Sequence, residues 1–299
     1  MTAKTVSMAG LFPPIPTPFD NAGELNLKAL ADNLAKWNRY PLAGYVVLGT
    51  NGEFPFLSDR EKLTYFEAVR KGIPADKLFM AGTGCESTHN TIALTKQAAE
   101  LGADVALLIT PSYYKSKMDA PALTHYYLTV ADASPIPVSV YNMPANTNVD
   151  MPADLIIKLS QHPNIAGVKE SGGNLPKIGE IIRYARPGFQ VLAGSAGFLY
   201  PAYCLGAIGG VLALANIAPR QCCDLERLYQ EGKHAEAREL QLQMIVPNNA
   251  VTGRFGVPGL KAAMDMLGYY GGPPRSPLLP VSEAQKEIIR GILAEAGIL

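Results

Sequence analysis

Eight short runs of apolar, β-favouring residues recur along the chain with longer amphipathic segments between them, and that alternation leaves few folds open. The runs cover residues 10–14, 44–49, 78–82, 104–110, 137–142, 165–169, 189–194 and 209–215. Their nearly continuous apolar character is what strands covered on both faces of a parallel sheet require. Helix-like sequence follows each run: residues 58–71 open on the capping pattern Ser58-x-x-Glu61, and residues 88–101 follow the third run. Strand-helix units repeated eight times predict a closed (β/α)₈ TIM barrel. A doubly wound open sheet is the alternative, but it would normally carry a glycine-rich phosphate turn, and no G-x-G-x-x-G follows a strand here. Residues 1–232 are assigned to the barrel. Residues 233–299 read as C-terminal helices packed on it within the same domain, since they hold no strand-like run.

Composition narrows the function classes. Lys plus Arg and Asp plus Glu each total 26, so no net positive charge is available to bind a nucleic acid. No apolar stretch approaches a membrane span, and the first ten residues lack the apolar core of a signal peptide, which predicts a cytoplasmic protein without a membrane partner. Cys85, Cys204, Cys222 and Cys223 show no C-x-x-C spacing and read as reduced thiols. His89, His125, His162 and His234 lack metal-site spacing, and no phosphate cradle is present. Neither a metal nor a cofactor is expected.

In a barrel of this kind, catalytic groups stand at the carboxyl ends of strands. The fifth run closes on Tyr141-Asn142-Met143-Pro144 and the sixth on Lys169-Glu170-Ser171. Burial disfavours an ammonium ion, so a lysine at an apolar strand end suits imine formation with a carbonyl. Snorkelling to solvent, or pairing with Glu170, is the commoner account of a lone lysine at such a place, and position alone does not decide between them. Tyr141 fits a proton shuttle or an aromatic packed into the rim. Thr50 and Asn51, in Gly49-Thr50-Asn51-Gly52-Glu53, fit a carboxylate-binding turn or a plain glycine turn.

Five segments in order, each at the end of a predicted strand, carry a resemblance: Gly49-Thr50-Asn51-Gly52-Glu53, Thr110-Pro111-Ser112-Tyr113-Tyr114, Tyr141-Asn142-Met143-Pro144, Gly167-Val168-Lys169-Glu170-Ser171 and Ala193-Gly194-Ser195. Over nearly the whole chain the sequence resembles the dihydrodipicolinate synthase and N-acetylneuraminate lyase family of pyruvate-dependent aldolases. The resemblance implies a Schiff-base lysine at Lys169, an acid-base phenol at Tyr141, and a Thr50 hydroxyl linking that phenol to Tyr114 of a neighbouring subunit. A homo-oligomer, at least a dimer and usually a tetramer, is therefore implied. Asn51 stands where many members have a second Thr or Ser. Gly194 and Val211 match positions lining the 2-oxo acid pocket.

Departures from the family pattern bear on the substrate. Where synthases carry an arginine for the second substrate's carboxylate, this chain reads Ala145-Asn146-Thr147. Asn51, Glu53-Phe54-Pro55-Phe56-Leu57, Gly84-Cys85-Glu86-Ser87, Ser171-Gly172-Gly173 and the stretch from Arg254 to Lys261 resemble the 4-hydroxy-2-oxoglutarate aldolases instead. That implies cleavage of 4-hydroxy-2-oxoglutarate to pyruvate and glyoxylate, with Asn51 and Ser171 meeting the distal carboxylate and Asn146 lining the site. The competing enzyme readings are 4-hydroxy-tetrahydrodipicolinate synthase and a 2-oxo-3-deoxy sugar acid aldolase. A 2-oxo acid sensor without turnover is the competing non-enzyme reading, against which the intact set Tyr141, Thr50, Tyr114 and Lys169 weighs.

Overall fold

The computed structural model describes residues 6–299; the first five of the N-terminal stretch weighed above lie outside the described residues. Nine parallel strand segments form a nearly closed barrel: β1 (Gly10–Phe12), β2 (Pro14–Ile15), β3 (Gly44–Val47), β4 (Leu78–Gly82), β5 (Val105–Ile109), β6 (Val138–Asn142), β7 (Ile165–Glu170), β8 (Gln190–Ala193) and β9 (Gly209–Val211). Their order is β1-β9-β8-β7-β6-β5-β4-β3-β2. The expected first strand is thus split at Pro13, whose nitrogen has no hydrogen to donate. Its two halves serve opposite neighbours, β1 pairing with β9 and β2 with β3, which joins the two ends of the sheet. The eighth run is shorter than expected, because residues Ala213–Asn216 turn into a 3₁₀ helix after β9.

Strand alternation sorts the side chains into two shells. Phe12, Val46, Met80, Leu107, Tyr141, Leu192 and Val211 fill the barrel with Met8 beneath them. Val140 and Val168 face outward against helical residues such as Leu155, Ile178 and Ile181. The helix Asp59–Gly72 starts as expected, with Ser58 Oγ accepting from the Glu61 N–H and the Glu61 carboxylate accepting from the Ser58 N–H. After residue 233 come the helices His234–Asn249, Gly256–Met266 and Glu283–Glu295, with a π-helical turn at Ala250–Arg254. Met244, Leu260, Ile289 and Leu293 from these helices are buried in one cluster with barrel residues such as Leu11, Tyr45 and Trp37.

Arg275 ties this C-terminal part to the front of the barrel. Its guanidinium reaches both Glu61 carboxylate oxygens at 2.5 and 3.0 Å, the Phe56 carbonyl at 2.9 Å and the Gly23 carbonyl, and lies 4.2 Å from the centroid of Phe19. The Arg275 hydrogen bond is the main cause that holds the Glu61 carboxyl at about 2, below its ordinary 4.5, against the opposing effect of burial. A carboxyl whose value is lowered by folding stabilises the fold fully above its ordinary range and loses that contribution as pH falls toward about 2. Arg275→Ala should cost about 1.5–3 kcal/mol of unfolding free energy, the range for a charge-assisted hydrogen bond. Urea melts at neutral pH and near pH 3 check this: the deficit of the variant should shrink at the lower pH.

Candidate active site

The carboxyl ends of the strands converge on one rim, and β6 and β7 place the two central groups there. β7 has a register irregularity beside Val138 and Ser139: Val138 pairs with Ile165 but Ser139 pairs with Gly167, so Ala166 is an extra residue. Beyond it, Tyr141 stands opposite Lys169. Both are 3% exposed. Lys169 Nζ lies 3.7 Å from the centroid of the Tyr141 ring, and the Tyr141 hydroxyl is 3.0 Å from Thr50 Oγ1, a hydrogen bond.

Four lysines of the described residues are buried: Lys62, Lys169, Lys177 and Lys261. Three are ion-paired, Lys62 with Asp59 at 3.0 Å, Lys177 with Asp150 at 2.5 Å and Glu170 at 3.3 Å, and Lys261 with Glu53 at 2.5 Å. Lys169 alone has no carboxylate within 4 Å among the described residues, and rests on an aromatic face instead. Pairing with Glu170 is thereby ruled out. Alternation along β7 sends the fully buried Glu170 to the outer shell, where it accepts from Asn142 Nδ2 at 2.8 Å and the Gly172 N–H at 2.6 Å. Asn142 Nδ2 also donates to Asp150 at 2.8 Å. Burial works to raise the Asp150 carboxyl, but the hydrogen bonds from Lys177 and Asn142 and the Lys177 charge outweigh it, leaving the group below its ordinary range.

The other expected site residues fall in three places. Ser171, Gly194 and Val211 adjoin the rim. Ser171 Oγ is buried with no hydrogen-bond partner, and a Cβ built on Gly194 would lie 1.9 Å from it, so only glycine fits at 194. The Gly194 N–H donates to the Glu170 carbonyl at 2.7 Å, while Val211 is fully buried in the barrel interior. Thr50 and Asn51 sit in a 3₁₀ turn whose first hydrogen bond is Gly52 N–H to Gly49 O, and the Asn51 side-chain nitrogen donates to the Pro14 carbonyl at 3.3 Å. Asn146 is exposed on the short helix Pro144–Thr147 and lines a cavity of about 950 Å³ together with Thr50, Thr110, Tyr141 and Phe255. Tyr114, in contrast, is 70% exposed and turned outward against Tyr113. Its loop is pinned by Glu86, which accepts from the N–H groups of Ser112 and Tyr113 at 3.0 and 2.9 Å.

Three supporting groups have no assigned role in the sequence reading: the Lys177–Glu170–Asn142 network, the Glu86 pin and the Glu53–Lys261 pair. Glu53, Glu86, Glu170 and Lys261 fall inside the segments that carry the resemblance, which was the only signal available for them. Their partners lie as much as about two hundred residues away in the chain, so spacing along it gives no hint of the contacts. Among the described residues, no group of three or more His, Cys, Asp or Glu side chains is placed to hold a metal ion, and no helix is long and apolar enough to cross a membrane.

Residues 7–296 match the dihydrodipicolinate synthetase family. The chain belongs to that family. Its members are lyases of the class I aldolase type that act on small molecules. The chain is 35% identical to a 4-hydroxy-tetrahydrodipicolinate synthase of Methanothrix thermoacetophila, over 97% of each chain. It is 33% identical to a probable mitochondrial 4-hydroxy-2-oxoglutarate aldolase of Emericella nidulans, over 96% of this chain and 94% of that one. Among solved structures, the chloride-inhibited dihydrodipicolinate synthase of Acinetobacter baumannii, complexed with pyruvate, superposes with a TM-score of 0.93 at 29% identity. That match covers 98% of this chain and all of the other.

The buried network behind the rim has a measurable weight. Lys177→Met leaves the Glu170 carboxylate buried without its cation, and should cost about 3–5 kcal/mol of stability. Chemical denaturation of the variant checks this, and an effect below 1 kcal/mol would show that Asn142 and the Gly172 N–H suffice to hold Glu170.

Proposed function

We propose that this family member cleaves 4-hydroxy-2-oxoglutarate to pyruvate and glyoxylate, through an imine on Lys169. The observation that carries the catalytic part is that Lys169, alone of the four buried lysines described, has no carboxylate partner and stands beside a phenol. An ion pair stabilises the ammonium form and so withholds the amine as a nucleophile.

In the proposed reaction Lys169 Nζ adds to the 2-oxo carbon and water leaves, giving a protonated imine. The ring face of Tyr141 lies where that positive charge forms. Tyr141 takes the proton of the 4-hydroxyl while the C3–C4 bond breaks, and its electron pair moves into the imine to give an enamine. Glyoxylate departs. Protonation at C3 and hydrolysis of the imine then release pyruvate and restore the amine. Thr50, hydrogen-bonded to the Tyr141 hydroxyl, passes the proton onward. We assign the outward Tyr114 to the relay of an adjacent subunit, which makes the active unit at least a dimer, usually within a tetramer. We also place the enzyme in the cytoplasm, which the four unpaired cysteines support.

The aldolase substrate is favoured over a synthase reaction by the cavity wall. No arginine is among its described lining residues, and Asn146 takes the place expected for one. Neutral groups are assigned to the distal carboxylate: Asn51 and Ser171, the latter with a buried hydroxyl that lacks a partner. Gly194 and Val211 wall the 2-oxo acid end. Coupled assays of pyruvate release over a panel of 2-oxo-4-hydroxy acids test the assignment. The 4-hydroxy-2-oxoglutarate kcat/KM should be highest, and Ser171→Ala should lower it by about 1–3 kcal/mol of transition-state stabilisation. Faster condensation of pyruvate with aspartate semialdehyde would move the protein to the synthase reading.

A further inference from the structure

Thr50 lies in a strained segment. Leu48 and Glu53, which flank the 3₁₀ turn Thr50–Gly52, both adopt left-handed backbone conformations, with φ of 56° and 55°. Side-chain-bearing residues rarely do so unless their surroundings hold them there. Contacts from distant parts of the chain restrain the turn from outside, beyond the Asn51 bond to the Pro14 carbonyl. Thr17 Oγ1 donates to the Gly52 carbonyl at 2.7 Å. The Glu53 carboxylate is held from the C-terminal part of the chain, by Lys261 Nζ at 2.5 Å and by the Arg275 N–H at 2.7 Å. Both members of the Glu53–Lys261 pair have side chains 1% exposed. Lys261 Nζ also donates to the Pro273 carbonyl at 2.9 Å and stands 4.6 Å from the centroid of Phe19.

A fully buried ion pair is a poor source of net stability, because desolvating both charges offsets most of their attraction. Glu53 lies on the cavity wall beside Thr50, but both charges are already engaged by protein groups, Glu53 by Lys261 and the Arg275 N–H and Lys261 by Glu53 and the Pro273 carbonyl. What the pair does achieve is geometric: it fixes the residue that ends the Thr50 turn, and the Thr50 hydroxyl is the group bonded to Tyr141. We propose that Glu53 and Lys261 are positioning residues for proton transfer, clamping the strained turn so that Thr50 keeps its hydrogen bond to Tyr141. The inference rests on the assignment of Tyr141 as the acid-base group.

The clamp predicts a split between two steps. On this proposal cleavage needs the Thr50–Tyr141 hydrogen bond to carry off the 4-hydroxyl proton, whereas trapping of pyruvate, read at equilibrium, needs it less. The double variant Glu53→Gln/Lys261→Met replaces both charges with neutral side chains of similar shape and leaves no uncompensated buried charge. It should still trap pyruvate on borohydride reduction to nearly the wild-type extent, while kcat for cleavage falls by roughly 10- to 100-fold, the order expected for a misplaced catalytic group. Lys261→Arg, which retains the charge opposite Glu53, should keep markedly more turnover than the double variant, and turnover as low as the double variant's would overturn the clamp. In a Tyr141→Phe background the double variant should cause little further loss, because the proton path is already broken.

Equal loss of trapping and turnover, or a loss that adds fully to that of Tyr141→Phe, would overturn the clamp and leave the pair a purely structural feature. If the double variant does not fold, Lys261→Arg and Glu53→Gln are compared in the same two assays, and unchanged turnover in Glu53→Gln overturns the proposal. Wild-type protein that traps no pyruvate would instead refute the imine reading beneath it, and with it the proton path that the clamp serves.

Discussion

A single extra residue sets the geometry on which the site depends. Without the irregularity at Ala166, Tyr141 would face Val168 across the β6–β7 pair; with it, Tyr141 faces Lys169. Side chains alternate along a strand, so a slip of one residue in β7 would also send Lys169 outward and Glu170 into the barrel. The outer shell opposes that slip. Glu170 is bonded to Asn142, the residue after Tyr141, and to Lys177 on the following helix, so the polar network behind the rim pins the register of the two strands that carry Tyr141 and Lys169. The burial of Lys169 without a counter-charge thus follows from a contact on the opposite face of the sheet.

The rim combines elements with different demands. Tyr141 and Lys169 sit on paired strands, where backbone hydrogen bonds on both sides fix them. Thr50 sits on a turn between two left-handed residues and needs outside support, supplied by Thr17 and by residues more than two hundred positions downstream. The helices beyond residue 233 therefore do more than cover apolar surface. Lys261 on the helix Gly256–Met266 and Arg275 in the connection after it reach the turn that faces the Tyr141 hydroxyl, and Arg275 couples the same region to Glu61 at the start of a barrel helix. The loop bearing Tyr114 is restrained in another way, by the Glu86 carboxylate beneath its backbone amides, which keeps an exposed tyrosine projecting from a fixed base.

Much of the fold was legible in the sequence, because apolar continuity and helix caps are local signals. The Ser58–Glu61 capping box falls where the pattern put it, and the helix Thr88–Glu100 ends within a residue of the segment read as helical. The split of the first strand was not legible, since a proline beside an apolar run does not reveal which neighbours its two halves will pair with. Nor was the short β9, where Ala213–Ala215 continues the apolar run but bends into a 3₁₀ helix. At the site, strand ends announced Tyr141 and Lys169. The choice between a free lysine and one paired with Glu170 hung on a bulge and on Lys177, neither of which has a local signature. Glu53 and Lys261 were visible only as letters inside matching segments, because the meaning of a buried charge depends on its partner.

The central claim is that the unpaired Lys169 amine is the group that binds the 2-oxo acid covalently. Borohydride reduction in the presence of pyruvate, followed by proteolysis and peptide mass mapping, tests it most directly, because an imine alone becomes a stable secondary amine under those conditions. The account predicts one added pyruvate-derived mass per chain, on the peptide carrying Lys169 and absent from Lys169→Ala. Modification of Lys62, Lys177 or Lys261 with Lys169 left free would contradict it.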